Sequence, residues 1–179
     1  MKPSEHFRAL TRLSNSELEK ILAGSPGPAP ELLAGHEFAG FNVPWHTRLL
    51  GIQKFIKGFF RGPQGFEGYN IPAVQNGIDG PWLHKPKPEI SKRFGFFRVA
   101  PVDRADRENF YPGTLLFNYG TSARNAFYRP ERVLRDYVVQ PDPKNRDLFF
   151  GKAYLAIGPS RVFSNFFIIE RLKSTSWPD

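Results

Sequence analysis

The 179-residue chain has no cysteine, which excludes a disulfide scaffold, thiol catalysis and thiolate metal sites and leaves the redox compartment open. Long apolar runs are missing too. No stretch approaches the roughly 18 residues of a membrane span. Lys2, Glu5, His6 and Arg8 interrupt the N-terminus where a signal peptide needs an apolar core. The expectation is a soluble cytoplasmic protein. Histidine is scarce, and residues 6, 36, 46 and 84 make no zinc spacing; Gly40 stands where a metalloprotease helix begun by His36-Glu37 would carry its second histidine. Gly151-Lys152-Ala153 lacks the rest of a phosphate loop. Gly62, Gly65 and Gly68 do not make the dinucleotide fingerprint, and no Gly-x-Ser-x-Gly elbow occurs. Nothing calls for a metal or a cofactor, and no residue is assigned a catalytic role by motif. The acids of Asp103–Glu108 each have an arginine nearby and precede a Pro-Gly turn, which reads as a solvated loop.

What is abundant is aromatic: 18 Phe, 6 Tyr and 3 Trp. With 16 Gly and 17 Pro the chain is rich in turns without reaching the composition of disorder, and a long-helix protein is disfavoured. One compact domain fits the length, and at 20.4 kDa roughly 70% of the unfolded surface can be buried. The formal net charge is +8, and most of the excess lies after residue 90. That suits an anionic partner or simply a solvated basic surface.

Ser14 and Glu17 make a capping box, Leu18, Ile21 and Leu22 share a face, and Gly24 marks a stop, so a helix is predicted over Ser14–Ala23. Phe7, Leu10 and Leu13 suggest a shorter helical turn before it. Pro26, Pro28 and Pro30 then force a linker. From residue 35 the apolar period changes to two, with strands predicted near His36–Val43, Lys54–Phe60, Phe66–Gln75, Phe94–Val102, Thr114–Tyr119, Val133–Gln140, Leu148–Ile157 and Asn165–Leu172. No crossover-length helix separates them. The fold class is therefore mainly β, an antiparallel eight-stranded barrel or strongly curved sheet with an N-terminal helix. Residues 1–34 form a helical arm and Pro-rich linker, 35–173 the barrel, and 174–179 a tail.

Several strands are apolar on both parities, so both faces are covered. In Val133–Gln140 one parity carries Arg135 and Tyr137 and the other Asp136. Whichever turns inward takes a charge that needs a partner or a shifted pKa. One account is a rim salt bridge of Arg98 or Arg135 with Asp136 or Glu170. The other gathers Arg98, Arg135, Tyr119, Tyr137 and Tyr154 at one end of a cavity lined by Phe96, Phe117 and Phe150, to hold an anionic amphipathic ligand such as a fatty acid. An isomerase, cyclase or lyase using Asp136, Glu170 or a tyrosine for proton transfer would use the same cavity. A nucleic-acid binder would need exposed aromatics along a basic groove, whereas most aromatics here sit in strand runs.

Trp45 to Arg61 alternates apolar with basic side chains, which suits transient contact with a membrane surface and equally an ordinary helix and strand with one wet side. Gly77 to Arg93 is long enough for a lid or binding loop, with Trp82 and His84 its notable side chains and His84 expected to face solvent.

Eight antiparallel strands in one small domain, a helical element near the opening and an aromatic interior with Arg and Tyr resemble the calycin superfamily of lipocalins and fatty-acid-binding proteins over residues 35–173. Gly40-Phe41-Asn42 stands where lipocalins carry Gly-x-Trp, and Trp45–Ile52 where fatty-acid-binding proteins carry a helix pair. The resemblance implies binding of a small hydrophobic ligand without catalysis, although some members of the group are isomerases or cyclases.

Overall fold

The computed structural model describes residues 2–43, 46–87 and 90–178. Three short helices, α1 (Glu5–Leu10), α2 (Asn15–Gly24) and α3 (His46–Leu49), accompany ten strands: β1 (His36–Asn42), β2 (Lys54–Gly62), β3 (Gly65–Pro72), β4 (Pro86–Lys87), β5 (Ile90–Ser91), β6 (Phe94–Pro101), β7 (Leu115–Asn118), β8 (Leu134–Val139), β9 (Leu148–Ile157) and β10 (Ser160–Ser174). Eight of them close an antiparallel barrel in the order β1-β10-β9-β8-β7-β6-β3-β2, and β4 with β5 make a separate ribbon. Closure comes from β1, which pairs β2 on one side and β10 on the other. No sheet edge of the barrel is left unpaired. None of the described helices is long and apolar enough to cross a membrane.

Both parities are apolar because the barrel has a packed inside and a packed outside. Inside, Phe38, Phe59, Phe97, Phe117 and Phe149 come from five strands and meet at ring separations of 5.0 to 5.7 Å. These rings fill the closed half, where Leu33 of the linker is fully buried among them. Outside, Phe7 and Leu10 of α1 and Leu18 and Leu22 of α2 cover Ile168, Phe150 and their neighbours. The arm thus lies along the barrel wall. Its caps form as the sequence predicts: Glu17 N donates to the Ser14 hydroxyl at 3.4 Å and Ser14 N to the Glu17 carboxylate at 2.8 Å. Ser4 caps α1, and its own N–H donates to Glu170 on the outer face of β10 at 3.0 Å. The Pro-rich linker is pinned at the closed end, with Gly27 N on Gly113 O and Gln140 N on Pro26 O, both 2.8 Å.

A small barrel needs places where rings can lie flat against a neighbouring strand. Gly151 pairs directly with Phe167 across β9 and β10, and a Cβ there would overlap the Phe167 ring. Gly40 and Phe55 make the same arrangement between β1 and β2. Both rings face the open half of the interior.

The 73–93 connection packs rather than projects. Trp82 is buried with its indole N–H on Gly40 O at 3.0 Å, and His84, only 8% exposed, meets the buried Glu37 carboxylate at 3.2 Å. The expectation of a solvated His84 is corrected, because Glu37 on the outer face of β1 needs partners under this loop.

Candidate functional site

The open half of the barrel contains a cavity of about 410 Å³ above the phenylalanine cluster. Phe55, Phe94, Leu134, Ala153 and Phe167 form its walls, and Ile52 reaches its mouth. Lys54, Lys85 and Glu131 also line it, and the polar residues of its floor, Lys57, Asn70, Tyr119 and Asp136, come from β2, β3, the turn after β7, and β8. Alternation puts them there: Lys57 shares its parity with Phe55 and Phe59, and Asp136 with Leu134 and Val138.

The polar floor is a closed network. Lys57 Nζ donates to Asn70 Oδ1 at 3.0 Å, to the Tyr119 hydroxyl, and to Asp136 Oδ2 at 3.1 Å. Tyr119 donates its proton to Asp136 Oδ2 at 3.2 Å and accepts from Asn70 Nδ2 at 3.3 Å, while Asn70 also donates to Gly95 O at 2.9 Å. Lys57, Tyr119 and Asp136 are 3%, 2% and 3% exposed. The ammonium also stands 4.7 Å from the Phe97 ring centre, on top of the packed half. Burial pulls the Lys57 amine below its ordinary pKa, against the opposing pull of Asp136. Burial, reinforced by Asp136, pushes the Tyr119 hydroxyl well up. All three ammonium protons are committed, but Asp136 takes both of its bonds on one oxygen. Among the described residues Oδ1 has no partner. Glu131 likewise uses Oε1 for Arg129, and its Oε2 is buried without one.

Lys54 belongs to the rim. Its ammonium donates to the carbonyls of Gly77, Gly80 and Pro81 at 2.9, 2.8 and 3.2 Å and sits 3.8 Å from the Trp82 ring centre, which ties the 76–82 loop to β2. Burial lowers its pKa to about 8.

Of the residues singled out in the sequence, Tyr119 lines the cavity and Phe117 lies in the packed half beneath it. The others are outside the barrel. Arg98 is exposed on β6 and donates to Gln64 O at 3.2 Å. Arg135 is buried against the outer wall with Arg161, both on Glu108, and Tyr137 donates to Glu108 O at 2.9 Å. Burial alone would raise the Glu108 pKa, but the Arg161 and Arg135 bonds hold it below the usual range. The acidic loop is therefore more than a solvated one. Tyr154 meets the Tyr111 hydroxyl at 2.8 Å, Phe150 stacks on Phe166 under the helical arm, and Phe96 packs near Trp177. The rim salt bridge read from the sequence does not form: Asp136 pairs with Lys57, and Glu170 faces Ser4. Lys57 and Asn70 were missed as site residues. The signal for Lys57 was an ammonium at the centre of Phe55-x-Lys57-x-Phe59.

The 45–61 segment divides as well. Lys54, Ile56, Lys57, Phe59 and Phe60 are buried, Leu49, Leu50, Ile52 and Arg61 are exposed, and Trp45 lies outside the described residues.

Comparison with family models, curated proteins and solved structures found no match to this chain. The closed eight-stranded antiparallel barrel is compatible with a calycin-like fold, and its buried aromatic clusters are compatible with ligand binding.

Proposed function

We propose that the protein binds a small, lipid-like amphipathic molecule inside the barrel, as calycin-type proteins do. The observation behind this reading is a cavity of about 410 Å³ with aromatic walls and a buried Lys57–Asp136–Tyr119 floor. Cavities of roughly 300–1,000 Å³ with apolar walls and a few convergent polar groups are the usual form of small-molecule sites. The volume is at the low end, so the ligand is a single chain or compact ring system. Of the head groups an amphipathic ligand can bring, a hydroxyl suits the floor best. It can donate to Asp136 Oδ1 without disturbing the ion pair, whereas a carboxylate would reach Lys57 only by displacing Asp136. Native mass spectrometry and solvent extraction of freshly purified protein should recover such a compound at one per chain. Ala153→Trp, which puts an indole into the cavity, should weaken binding of a fluorescent long-chain alcohol at least about tenfold with cooperative unfolding retained. An empty protein whose probe binding ignores Ala153→Trp would sink the proposal.

A second reading rests on the same free oxygen. Asp136 beside Lys57 and Tyr119 can take or return a proton on a bound molecule, as an isomerase or lyase would require. Conversion of the extracted compound by wild type but not by Asp136→Asn separates the two.

The mouth also supports contact with a membrane surface. Ten of the eleven large apolar side chains exposed among the described residues lie at this end of the barrel, including Leu49 (76%), Leu50 (68%), Phe127 (90%) and Tyr128 (71%). The segments that carry them, 43–53, 73–93, 119–133 and 157–164, hold nine Lys and Arg against three Asp and Glu, a net +6 of the chain's +8. Apolar tips on segments of net positive charge are what an anionic bilayer attracts. Phosphatidylserine-containing vesicles should co-sediment the protein at low salt, and Leu49→Glu/Leu50→Glu should abolish it; equal sedimentation of the variant refutes the contact.

A further inference from the structure

Beside the mouth, on the other side of Phe94, a second cavity of about 260 Å³ opens between the start of β6 and the 124–129 loop. Phe94 walls both cavities, but their chemistry differs. Lys92, Arg93, Arg124 and Arg129 line the smaller one, and among the described residues no carboxylate does. Four cations around so small a volume repel one another unless something negative stands among them. Two are answered from outside the cavity: Arg124 Nε by Glu67 at 3.3 Å and Arg129 Nη2 by Glu131 at 3.0 Å. The other two have no carboxylate partner among the described residues. Lys92 is exposed, and Arg93 lies over the rings of Tyr69 and Trp177 at 5.0 and 4.8 Å with its Nε buried and unbonded.

The scaffold beneath is fixed. The Asn125 amide clamps the loop to β6, accepting from Phe96 N at 2.9 Å and donating to Phe96 O and Tyr119 O at 2.6 and 3.0 Å. Arg132 adds bonds to Gly120 O at 2.7 Å and Asn125 O at 3.0 Å. Arg124 and Arg129 therefore stand on a loop that is already tied down, beside Lys92 and Arg93 at the start of β6, and are not gathered only when a ligand arrives, which lowers the cost of binding.

We propose that this cavity holds the phosphate group of a phosphate ester. A phosphate brings the two negative charges the site lacks and acceptor oxygens for the guanidinium N–H groups that Glu67 and Glu131 leave unused. The site stands apart from whatever the barrel holds, since none of its four cations lines the larger cavity. The ester is either a soluble metabolite or a phospholipid head group presented at the same mouth. Isothermal titration with glycerol 3-phosphate probes the first source, and flotation with phosphatidic acid vesicles, scored against phosphatidylserine vesicles, probes the second.

Saturable binding in titration, or a preference for phosphatidic acid in flotation, is the expected result. Lys92→Gln/Arg124→Gln should weaken it about tenfold or more, as loss of charge-assisted hydrogen bonds requires. The equal charge change Arg98→Gln/Lys144→Gln, away from the cavity, should leave it intact. Lys92→Gln alone alters an exposed side chain and keeps the test valid should the double variant unfold. The site is overturned by absence of binding in both assays, or by equal losses in the two double variants.

Discussion

Asp136→Asn is expected to lower the unfolding free energy by roughly 3–5 kcal/mol at neutral pH, the scale for stranding one member of a buried ion pair. Lys57 is enclosed by phenyl rings and, among the described residues, has no other carboxylate in contact. Its escape from an unpaired charge is to lose its proton, and this makes the loss depend on pH. Burial already places the folded-state pKa of Lys57 below the unfolded one, and Asp136 opposes that shift. Removing the carboxylate lowers the folded value further. Between that value and the ordinary lysine pKa of about 10.4 the unfolded chain holds more protons than the folded one, so stability rises with pH across this window. The variant should thus regain stability from neutral to mildly alkaline pH more steeply than wild type, as read from urea midpoints at several pH values. Lys57→Met/Asp136→Leu should recover most of the loss, because the attraction within a buried pair largely cancels its own desolvation. A cost for Asp136→Asn below about 1 kcal/mol, flat with pH, would mean that water reaches the pair and screens it.

The elements were legible and the inside was not. Capping chemistry at Ser14 and Glu17 and period-two patterning bounded by Gly, Pro and Asn are local signals, and the helix and all eight barrel strands follow them. The β4–β5 ribbon escaped because Pro86 and its proline neighbour disguise a strand. Phe149 and Phe150 show why the facing of strands was hidden. They are adjacent and equally buried, yet one belongs to the interior cluster and the other to the layer under α1 and α2. No local property distinguishes them, because a helical arm covering the wall erases the usual wet face. The site followed from the same ambiguity. Arginine drew attention as the best carboxylate grip, but Arg98 stays in water and Arg135 answers Glu108 on the outer wall. The cation admitted to the floor is a lysine, whose single ammonium is saturated by three acceptors. Once Lys57 and Asp136 are both placed inward, their pairing follows from the cost of burying either alone.

Phe59→Ala is expected to cost about 3–5 kcal/mol, the scale for deleting a buried aromatic ring. The Phe59 ring touches those of Phe38, Phe97 and Phe117 at centroid separations of 5.2 to 5.7 Å, and it stands on β2 two residues below Lys57. Neighbours drawn from three other barrel strands held in a closed ladder cannot collapse far into the space left behind, so the cavity penalty adds to the lost transfer energy. Phe55→Ala removes the same ring from the same strand and face, but Phe55 is half-buried and already borders the cavity. It should cost less than half as much while weakening probe binding, since its ring is wall and not filling. Guanidinium unfolding and probe titration of the two variants side by side measure the division of the barrel. A large stability loss with Phe59 and a large affinity loss with Phe55 are expected if the closed half is core and the open half is site. Equal stability losses would mean that the cavity above Lys57 is closed in solution by movement of its walls, and the ligand reading would go with it.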